Sequence, residues 1–307
     1  MCKLLQIPKT KKFILLSLIV FLAGCSSVVK KEDIFVQAQQ IKESAKLAEQ
    51  KQTEPPTPTP SQPQNLTAVE SQPPATESQA PHLWPLPSPE KLIYKVKYCG
   101  ITIGEFIFNN LGRDTLSGRL VFKYELIVKT APFFAKLFKT RDRYVSYLDA
   151  EKFVVLRREE YIQGGSVLET SVDFDYQNLI ATHKNWIDSK EKTIPIPGQV
   201  FDILSGGYYL RMVPWELGDT VEVNVYFDDK IYNYVGLLHS EMSISLPGHG
   251  KQPAYLLKPY AFFEGKPVTK VSAEVFFSTT NALKTMRAVM KTKLGNVAVV
   301  LVEGFEN

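Results

Sequence analysis

The sequence predicts a mainly β protein: a large antiparallel sheet that is strongly curved, or forms a partly open barrel, with one crossing helix. Apolar and polar residues alternate over long stretches, as in residues 120–128 and 221–227. A period of two, rich in β-branched and aromatic residues, is typical of half-buried antiparallel strands. Turn residues such as Gly164-Gly165 and Asp228-Asp229 separate many of these stretches.

The alternation places the strands one after another along the chain. They are predicted near residues 92–99, 101–109, 119–129, 141–149, 153–161, 166–176, 179–186, 219–228, 231–238, 241–246, 254–262, 270–279, 284–293 and 296–303. A meander of this length is expected to curl, and its concave face could enclose either a cavity or a filled core.

The crossing helix is predicted over residues 199–212. Ile203 and Leu204 fall on its apolar face, and Asp202 lies in the first turn, where the helix dipole favours an anion. Gly206-Gly207 is expected to let the helix pack closely or kink. A shorter apolar segment at 132–139 could cover one end of the core or face a membrane.

The first 24 residues are predicted to be a lipoprotein signal peptide. Several lysines precede an apolar run at 13–22, which is too short to span a membrane comfortably. The run ends in Leu22-Ala23-Gly24-Cys25, which resembles the lipobox of bacterial lipoproteins. We therefore expect cleavage before Cys25 and its acylation. The alternative is an ordinary secretory signal with a chance cysteine.

Acylation of Cys25 would anchor the mature chain firmly, because each buried CH₂ contributes about 0.8 kcal/mol. The residues after it, Ser26-Ser27, resemble an outer-membrane sorting signal. The expected location is therefore the cell envelope, on the outer membrane and facing the periplasm.

Residues 25–89 are predicted to form a lipidated N-terminus and a tether rich in Pro, Ser, Thr and Gln. Residues 53–89 cannot bury enough apolar surface to offset the entropy of ordering. An extended polyproline-type chain of this length reaches on the order of 100 Å, so the domain could stand well away from the membrane. The preceding residues 30–52 predict a frayed, solvated helix, because their apolar stripe is weak. The β domain is predicted to span 90–307.

Composition excludes several classes of function. The formal net charge of +4 at pH 7 is too small to imply nucleic-acid binding. Of the three cysteines, only Cys99 falls in the predicted domain, so no internal disulfide can form there; we expect Cys99 to be a buried thiol. The four histidines show no zinc-binding spacing. No nucleophile elbow, P-loop or dinucleotide fingerprint is present, so we expect no metal, no cofactor and no enzymatic activity.

Several segments, in their order and spacing, resemble DUF3108, a bacterial protein family of unknown function. These segments are residues 94–104, 138–149, 174–176, 200–211 and 277–287. In the last of them, Thr279 and Thr280 stand where the family usually has two acidic residues, which argues against a metal site. The resemblance covers roughly residues 91–304 and implies a fold and an envelope location, but no reaction.

Two groups of side chains are candidates for a ligand or partner surface: Phe133, Phe134, Phe138, Arg141 and Arg143, and on the helix Asp202, Tyr208 and Arg211. The first group, a basic edge beside an apolar turn, could receive an anionic lipid, peptidoglycan or an envelope protein; the alternative is a surface ion-pair ladder. In the second, Asp202 and Arg211 could pin the helix to the sheet or line the mouth of a pocket.

The leading hypothesis is a non-enzymatic, membrane-tethered envelope lipoprotein that binds an apolar or amphipathic ligand or a partner. A second hypothesis is a structural or assembly lipoprotein with a filled core that acts through its surface. A third is a hydrolase that acts on an envelope polymer. A hollow apolar cavity would favour the first, a packed core the second, and clustered titratable groups in a cleft the third.

Overall fold

The computed structural model describes residues 29–52, 86, 88–136, 141–162, 165–268, 271–279, 283–292 and 295–305. These residues form one large sheet that is curved but not closed, together with two α-helices and a 3-10 turn. The prediction of a mainly β, strongly curved sheet with a crossing helix is confirmed. The predicted signal peptide and most of the predicted tether lie outside the described residues.

The strands follow one another with short connections. In chain order they are β1 (Glu90–Tyr98), β2 (Ile101–Leu116), β3 (Arg119–Thr130), β4 (Arg141–Asp149), β5 (Val155–Ile162), β6 (Val167–Asp175), β7 (Ile180–Asn185), β8 (Glu191–Pro195), β9 (Phe201–Asp202), β10 (Thr220–Phe227), β11 (Lys230–Leu246), β12 (Gly250–Phe263), β13 (Lys266–Pro267), β14 (Val271–Ser278), β15 (Thr285–Thr292) and β16 (Gly295–Glu303). The helices are α1 (Lys31–Gln52) and α2 (Ile203–Met212), and the 3-10 turn is Phe134–Lys136.

The sheet runs in the order β8-β7-β6-β5-β4-β3-β2-β1-β16-β15-β14-β12-β11-β10-β9, and β13 pairs with β12. The neighbouring strands are antiparallel except for the short β9, which is parallel to β10. The first and last strands pair in the middle of the sheet, so the chain enters and leaves the domain at the same place.

Curvature brings the two ends of the strand order together. The rings of Phe174 on β6 and Tyr226 on β10 lie 5.4 Å apart. The Val155 N–H of β5 donates to the carbonyl of Val200, just before β9, at 3.2 Å. The Tyr176 hydroxyl donates to the carbonyls of both Val155 and Val200. These contacts make the sheet a partly open barrel.

One long strand differs from the sequence prediction. Residues 231–238 and 241–246 were expected to be separate strands, but they form the single strand β11, whose register shifts between Leu238 and Ser240. An extra residue at His239 interrupts the alternation without ending the pairing, as a β-bulge does. The short strands β8, β9 and β13 carry too few residues to show a period of two.

The crossing helix α2 begins later than predicted, because Phe201 and Asp202 belong to β9. Asp202 is the N-cap: its carboxylate accepts a hydrogen bond from the Ser205 N–H at 2.7 Å. In return, the Ser205 hydroxyl accepts from the Asp202 N–H at 3.0 Å. This capping box satisfies backbone N–H groups that the first turn of a helix leaves without partners.

Helix α2 lies on the concave face and completes the main core. Leu204 and Tyr208 are buried together with apolar residues of the strands around them. Gly206 faces Phe201, and a Cβ there would meet its side chain at 3.4 Å, which is ordinary contact. The sheet curls around a helix, and the helix fills the space that the sheet encloses.

Helix α1 is docked on the barrel, whereas the sequence predicted a solvated helix. Ile34 and Ala38 are buried against an apolar patch on two strands, formed by Val235, Leu237, Tyr260 and Phe262. Close packing extends to Gly218, where a Cβ would lie 2.7 Å from the Ala38 carbonyl oxygen. Two apolar residues one turn apart are enough for docking because the sheet presents a matching apolar face.

The packing of α2 makes a stability prediction. Leu204 is 6% exposed in the main core, and truncating a buried Leu to Ala typically costs about 2–5 kcal/mol. We expect Leu204→Ala to lower the free energy of unfolding by that amount in urea denaturation followed by circular dichroism. Leu47→Ala, at a helical leucine that is 60% exposed, is the matched control and should leave stability nearly unchanged. Equal stability of the two variants would contradict the placement of α2.

Candidate functional site

The structure separates the candidate residues into two groups that do not meet. Phe133 and Phe134 lie in the turn between β3 and β4, with Arg141 and Arg143 at the start of β4. Phe133 is 78% exposed and packs edge-on against Phe134. Phe138, which was predicted beside them, lies outside the described residues.

Arg143 is held along the sheet rather than pointing freely into solvent. Its guanidinium lies over the Tyr161 ring, 3.9 Å from the centroid, and is 3.4 Å from the Glu125 carboxylate. Arg141 is exposed. The apolar turn and Arg141 are therefore accessible, whereas Arg143 belongs to an ion-pair ladder.

The second candidate group is buried, so it does not form a surface. Asp202 is 1% exposed and Arg211 3% exposed. Asp202 caps α2, and Tyr208 stacks inside the core. The prediction that these three residues belong to a binding surface is wrong, because the helix that carries them turns their side chains into the barrel.

The centre of this group is a buried ion pair between Arg211 and Glu90. The two guanidinium NH groups donate to the two carboxylate oxygens at 2.7 and 2.8 Å, a bidentate arrangement. Both side chains are almost completely buried. Burial alone would lower the pKa of Arg211, but its hydrogen bonds and proximity to Glu90 raise it above the usual value. The pair ties α2 to the first strand of the domain.

Three tyrosines surround the ion pair. The rings of Tyr124 and Tyr208 are stacked with their centroids 4.0 Å apart, and the Tyr94 hydroxyl donates to the Thr285 carbonyl. Burial raises the pKa of each phenol above its usual value, so all three stay neutral near pH 7. The Arg211 guanidinium also lies 5.4 Å from the centre of the Tyr208 ring.

A buried lysine completes this polar cluster. Lys284 is 3% exposed, and its ammonium donates to the carbonyls of Gly304 and Phe305 at 2.9 and 3.0 Å. Burial lowers the pKa of Lys284 below its usual value; the nearby Glu90 carboxylate acts to raise the pKa, and the Arg211 charge acts to lower it. The lysine binds the end of β16 to the start of β15, beside the ion pair.

The cavity beside α2 is small, with a volume of about 40 Å³. It is lined by Leu126, Tyr144, Arg158, Asp202, Leu204 and Phe227, among others. One Asp202 carboxylate oxygen (Oδ2) is buried with no hydrogen-bond partner among the described residues. A cavity of this volume has room for water but not for a ligand of lipid size.

A group of polar side chains, called here the polar seam, joins β7 to the β10–β11 turn, where the two ends of the strand order meet. His183 Nδ1 on β7 lies 2.5 Å from an Asp229 carboxylate oxygen in the β10–β11 turn, and the Tyr226 hydroxyl donates to the same carboxylate at 2.7 Å. Burial acts to raise the pKa of Asp229, but the bonds from Tyr226 and His183 lower it below the usual value. The seam helps to hold the barrel in its curled shape.

The described residues show two further features that bear on function. They contain no group of three or more His, Cys, Asp or Glu side chains that could hold a metal ion. Neither described helix is both long and apolar enough to cross a membrane. Cys99 is exposed in the β1–β2 turn, not buried as predicted, because the turn begins at this residue and gives it a positive φ of 47°.

Sequence reasoning missed Glu90, the partner of Arg211. The two residues are 121 positions apart in the chain, and nothing in the local pattern links them. The one available signal was the unusual position of Arg211 near the apolar face of a helix, since a buried charge requires a partner.

The buried ion pair makes a second prediction. Removing one partner leaves an uncompensated charge in the core, so Arg211→Met is expected to cost about 3–5 kcal/mol of stability. The double variant Glu90→Leu/Arg211→Met should recover most of this loss. Lys190→Met, at an ion pair whose lysine side chain is 81% exposed, is the control and should leave stability nearly unchanged. Urea denaturation of the three variants and the unaltered protein measures the effects, and a double variant no more stable than Arg211→Met would contradict the pairing.

A third prediction concerns pH. Burial, and then the nearby Glu169 carboxylate, raise the pKa of Asp142 from 3.8 to about 6. A raised carboxyl pKa favours the protonated form in the folded state, so this group costs stability as pH rises from about 4 to 6 and beyond. Asp142→Asn should therefore raise the melting temperature at pH 7.5 but not at pH 3.5. A gain of equal size at both pH values in scanning calorimetry would contradict the assignment.

Comparisons with known structures give likenesses of low identity. A β-barrel-like protein of the DUF1849 domain from Brucella abortus matches with a TM-score of 0.44 and 11% identity, over 73% of this chain and 98% of that chain. A predicted lipoprotein from Parabacteroides distasonis matches with a TM-score of 0.33 and 11% identity, over 73% and 98%. A predicted exported protein with a YmcC-like fold from Bacteroides fragilis matches with a TM-score of 0.32 and 7% identity, over 72% and 98%.

No protein with a curated description matches this chain. The family described as "protein of unknown function (DUF3108)" matches residues 93–302. This match covers more than half of the chain and includes all strands from β2 to β15. The chain therefore belongs to the DUF3108 family, as its sequence segments predicted.

Proposed function

We propose that the protein is a non-catalytic lipoprotein of the cell envelope, which acts through its outer surface on an envelope partner. It is anchored by acylated Cys25 and faces the periplasm from the outer membrane. The observation that supports a surface role is the filled interior: α2 occupies the concave face, with Tyr208 stacked on Tyr124 and Arg211 paired with Glu90.

Volume is the argument against a carrier of apolar ligands. Pockets for small molecules typically measure about 300–1,000 Å³, whereas the cavity beside α2 measures about 40 Å³. A lipid chain would have to displace α2, together with a bidentate ion pair and a stacked pair of tyrosines. The cost of exposing those groups makes an outer surface the better place for recognition.

A hydrolase is the less supported alternative. The pKa values of Asp142 and Glu169 are both raised, mainly by burial, as a general acid would require. Neither residue is among those that line the cavity beside α2, so the two carboxyls have no enclosed space for a substrate there. Their raised pKa values are accounted for by burial beside each other.

The fourth prediction tests the anchor. We expect Cys25→Ala to move the protein from the membrane fraction to the soluble fraction when cells are lysed without detergent. Cys99→Ala, which removes the cysteine of the β1–β2 turn, should leave the protein in the membrane fraction. A Cys25→Ala protein that stays firmly membrane-bound would refute lipid anchoring through this residue.

Native mass spectrometry of the full protein, extracted from envelopes in mild detergent, tests the surface role. We expect the mass of the acylated chain, alone or with a protein partner, and no additional lipid. A lipid bound in a fixed one-to-one ratio, and still present in Cys25→Ala, would show an interior ligand and overturn the filled-core proposal.

A further inference from the structure

We infer that the barrel lies directly on the lipid surface, with one defined rim against the headgroups. It is not held away from the bilayer by the Pro-rich segment. This rim, called here the anchor-side rim, consists of the described residues in and directly beside the turns at 99–100, 131–136, 165–166, 186–190, 228–229 and 264–265. The inference rests on the proposed acylation of Cys25 and adds the orientation that this anchor imposes.

The docked helix α1 sets the direction of the anchor. Near its start, Lys31 pairs with Glu222 at 2.6 Å, and farther along Lys42 pairs with Asp219 at 2.7 Å. The start of α1 is therefore farther along β10 than its middle is, and it points toward the β10–β11 turn. That turn belongs to the anchor-side rim, so the N-terminal end of α1 is directed to this rim.

The remaining distance to the anchor is short. Val29 already packs against the apolar patch under α1, and it lies four residue steps along the chain from Cys25. At about 3.5 Å per residue, the acylated cysteine lies at most about 14 Å from Val29. The barrel therefore cannot move away from the bilayer while α1 stays docked.

The Pro-rich segment does not change this conclusion. Helix α1 ends at Gln52, on the side of the barrel away from the rim, and β1 begins there at Glu90. Residues 53–89 connect two points on that far side, so their length adds nothing to the distance between barrel and membrane. The reach of the segment, on the order of 100 Å when extended, is on this inference not used to separate the domain from the membrane.

Antiparallel pairing gathers the rim turns at one end of the sheet, because each hairpin reverses the chain. Strands β1, β3, β7, β10 and β12 all end at this side. The rim therefore brings together residues that are far apart in sequence, and its chemistry can be compared with that of the opposite end.

The anchor-side rim has the side chains of a membrane-interface surface. Its exposed apolar residues are Ile101 (62%), Phe133 (78%), Trp186 (44%) and Ile187 (60%). Among the described residues, the exposed phenylalanines and tryptophan are Phe133, Trp186 and Phe35, the last in the first turns of α1. The opposite side exposes Leu111, Leu120 and Leu179 instead. Aromatic rings are the side chains enriched at the level of lipid headgroups.

Lysines accompany these rings. The Lys184 ammonium lies 4.0 Å from the centre of the Trp186 ring, and in the same turn the exposed Lys190 side chain pairs with Asp188 at 2.7 Å. The same turns also carry the acidic residues Asp188, Asp228, Asp229 and Glu264, so charge does not select the occupant. The exposed apolar and aromatic side chains do, and the occupant that fits this rim is a lipid surface at the level of the headgroups.

Cys99 provides a direct probe of the rim. In the acylated protein its thiol is the free one in the barrel, since Cys25 carries lipid. The full protein is labelled at Cys99 with an environment-sensitive fluorophore and reconstituted in vesicles of phosphatidylethanolamine and phosphatidylglycerol. The matched control is Cys99→Ser/Leu179→Cys, labelled at the opposite end. We expect blue-shifted emission and protection from a water-soluble quencher at position 99, and neither at position 179.

A second pair of variants tests the role of α1. Ala38→Glu places a charge in the buried face of the helix, whereas Ala48→Glu changes an exposed position near its end. We expect Ala38→Glu to abolish the blue shift at Cys99 while the protein remains vesicle-bound, and Ala48→Glu to keep it. Ile34→Ser serves in the same way if Ala38→Glu does not fold.

The outcomes separate this inference from the proposed function. Acylated, vesicle-bound protein with equal, water-like emission at positions 99 and 179 would overturn the orientation alone. An unchanged blue shift in a folded Ala38→Glu variant would overturn the role of α1 in setting it. Intact-mass analysis that finds no acyl groups on Cys25 would overturn both the proposed anchor and the inference built on it.

Discussion

The main constraint on the interior is that the buried charges of Arg211 and Glu90 must pair with each other. Two charges so far from water are tolerated only when each satisfies the other with good geometry, and here the contact is bidentate at 2.7 and 2.8 Å. Glu90 begins the first strand and Arg211 ends the crossing helix, so one interaction fixes the helix inside the sheet. The tyrosines stacked around it keep out water, which would weaken the pair.

This constraint also decides where recognition can occur. A barrel that opened to hold a ligand would have to move α2 and expose the ion pair. Separating the pair costs more free energy than the burial of a few methylene groups returns. On the proposed function the interior is therefore structural, and recognition is left to the rims and to the outer face of the sheet. One of these outer faces is already covered by α1.

The sequence predicted most strands well because a strand with one buried face alternates apolar and polar residues, as in residues 120–128 and 221–227. The prediction failed where the alternation stops but the strand continues to pair. At His239 a bulge interrupts the period of two, while β11 continues. Arg211 was identified as notable, but its partner Glu90 could not be, because a contact across 121 residues leaves no local mark. The docking of α1 was missed for the same reason, since the apolar patch that receives Ile34 comes from β11 and β12.

The orientation of the barrel depends on apolar contact more than on charge. The ion pairs of Lys31 and Lys42 are partly exposed, and each contributes about 0.2–1 kcal/mol. Complete burial of Ile34 contributes about 1.5–3 kcal/mol, and Ala38 adds to it. The apolar contacts hold the helix to the sheet, while the two lysines fix its direction along β10. A helix with a weak apolar stripe thus suffices to choose which rim faces the anchor, because the strand topology has already sorted the turns into two ends.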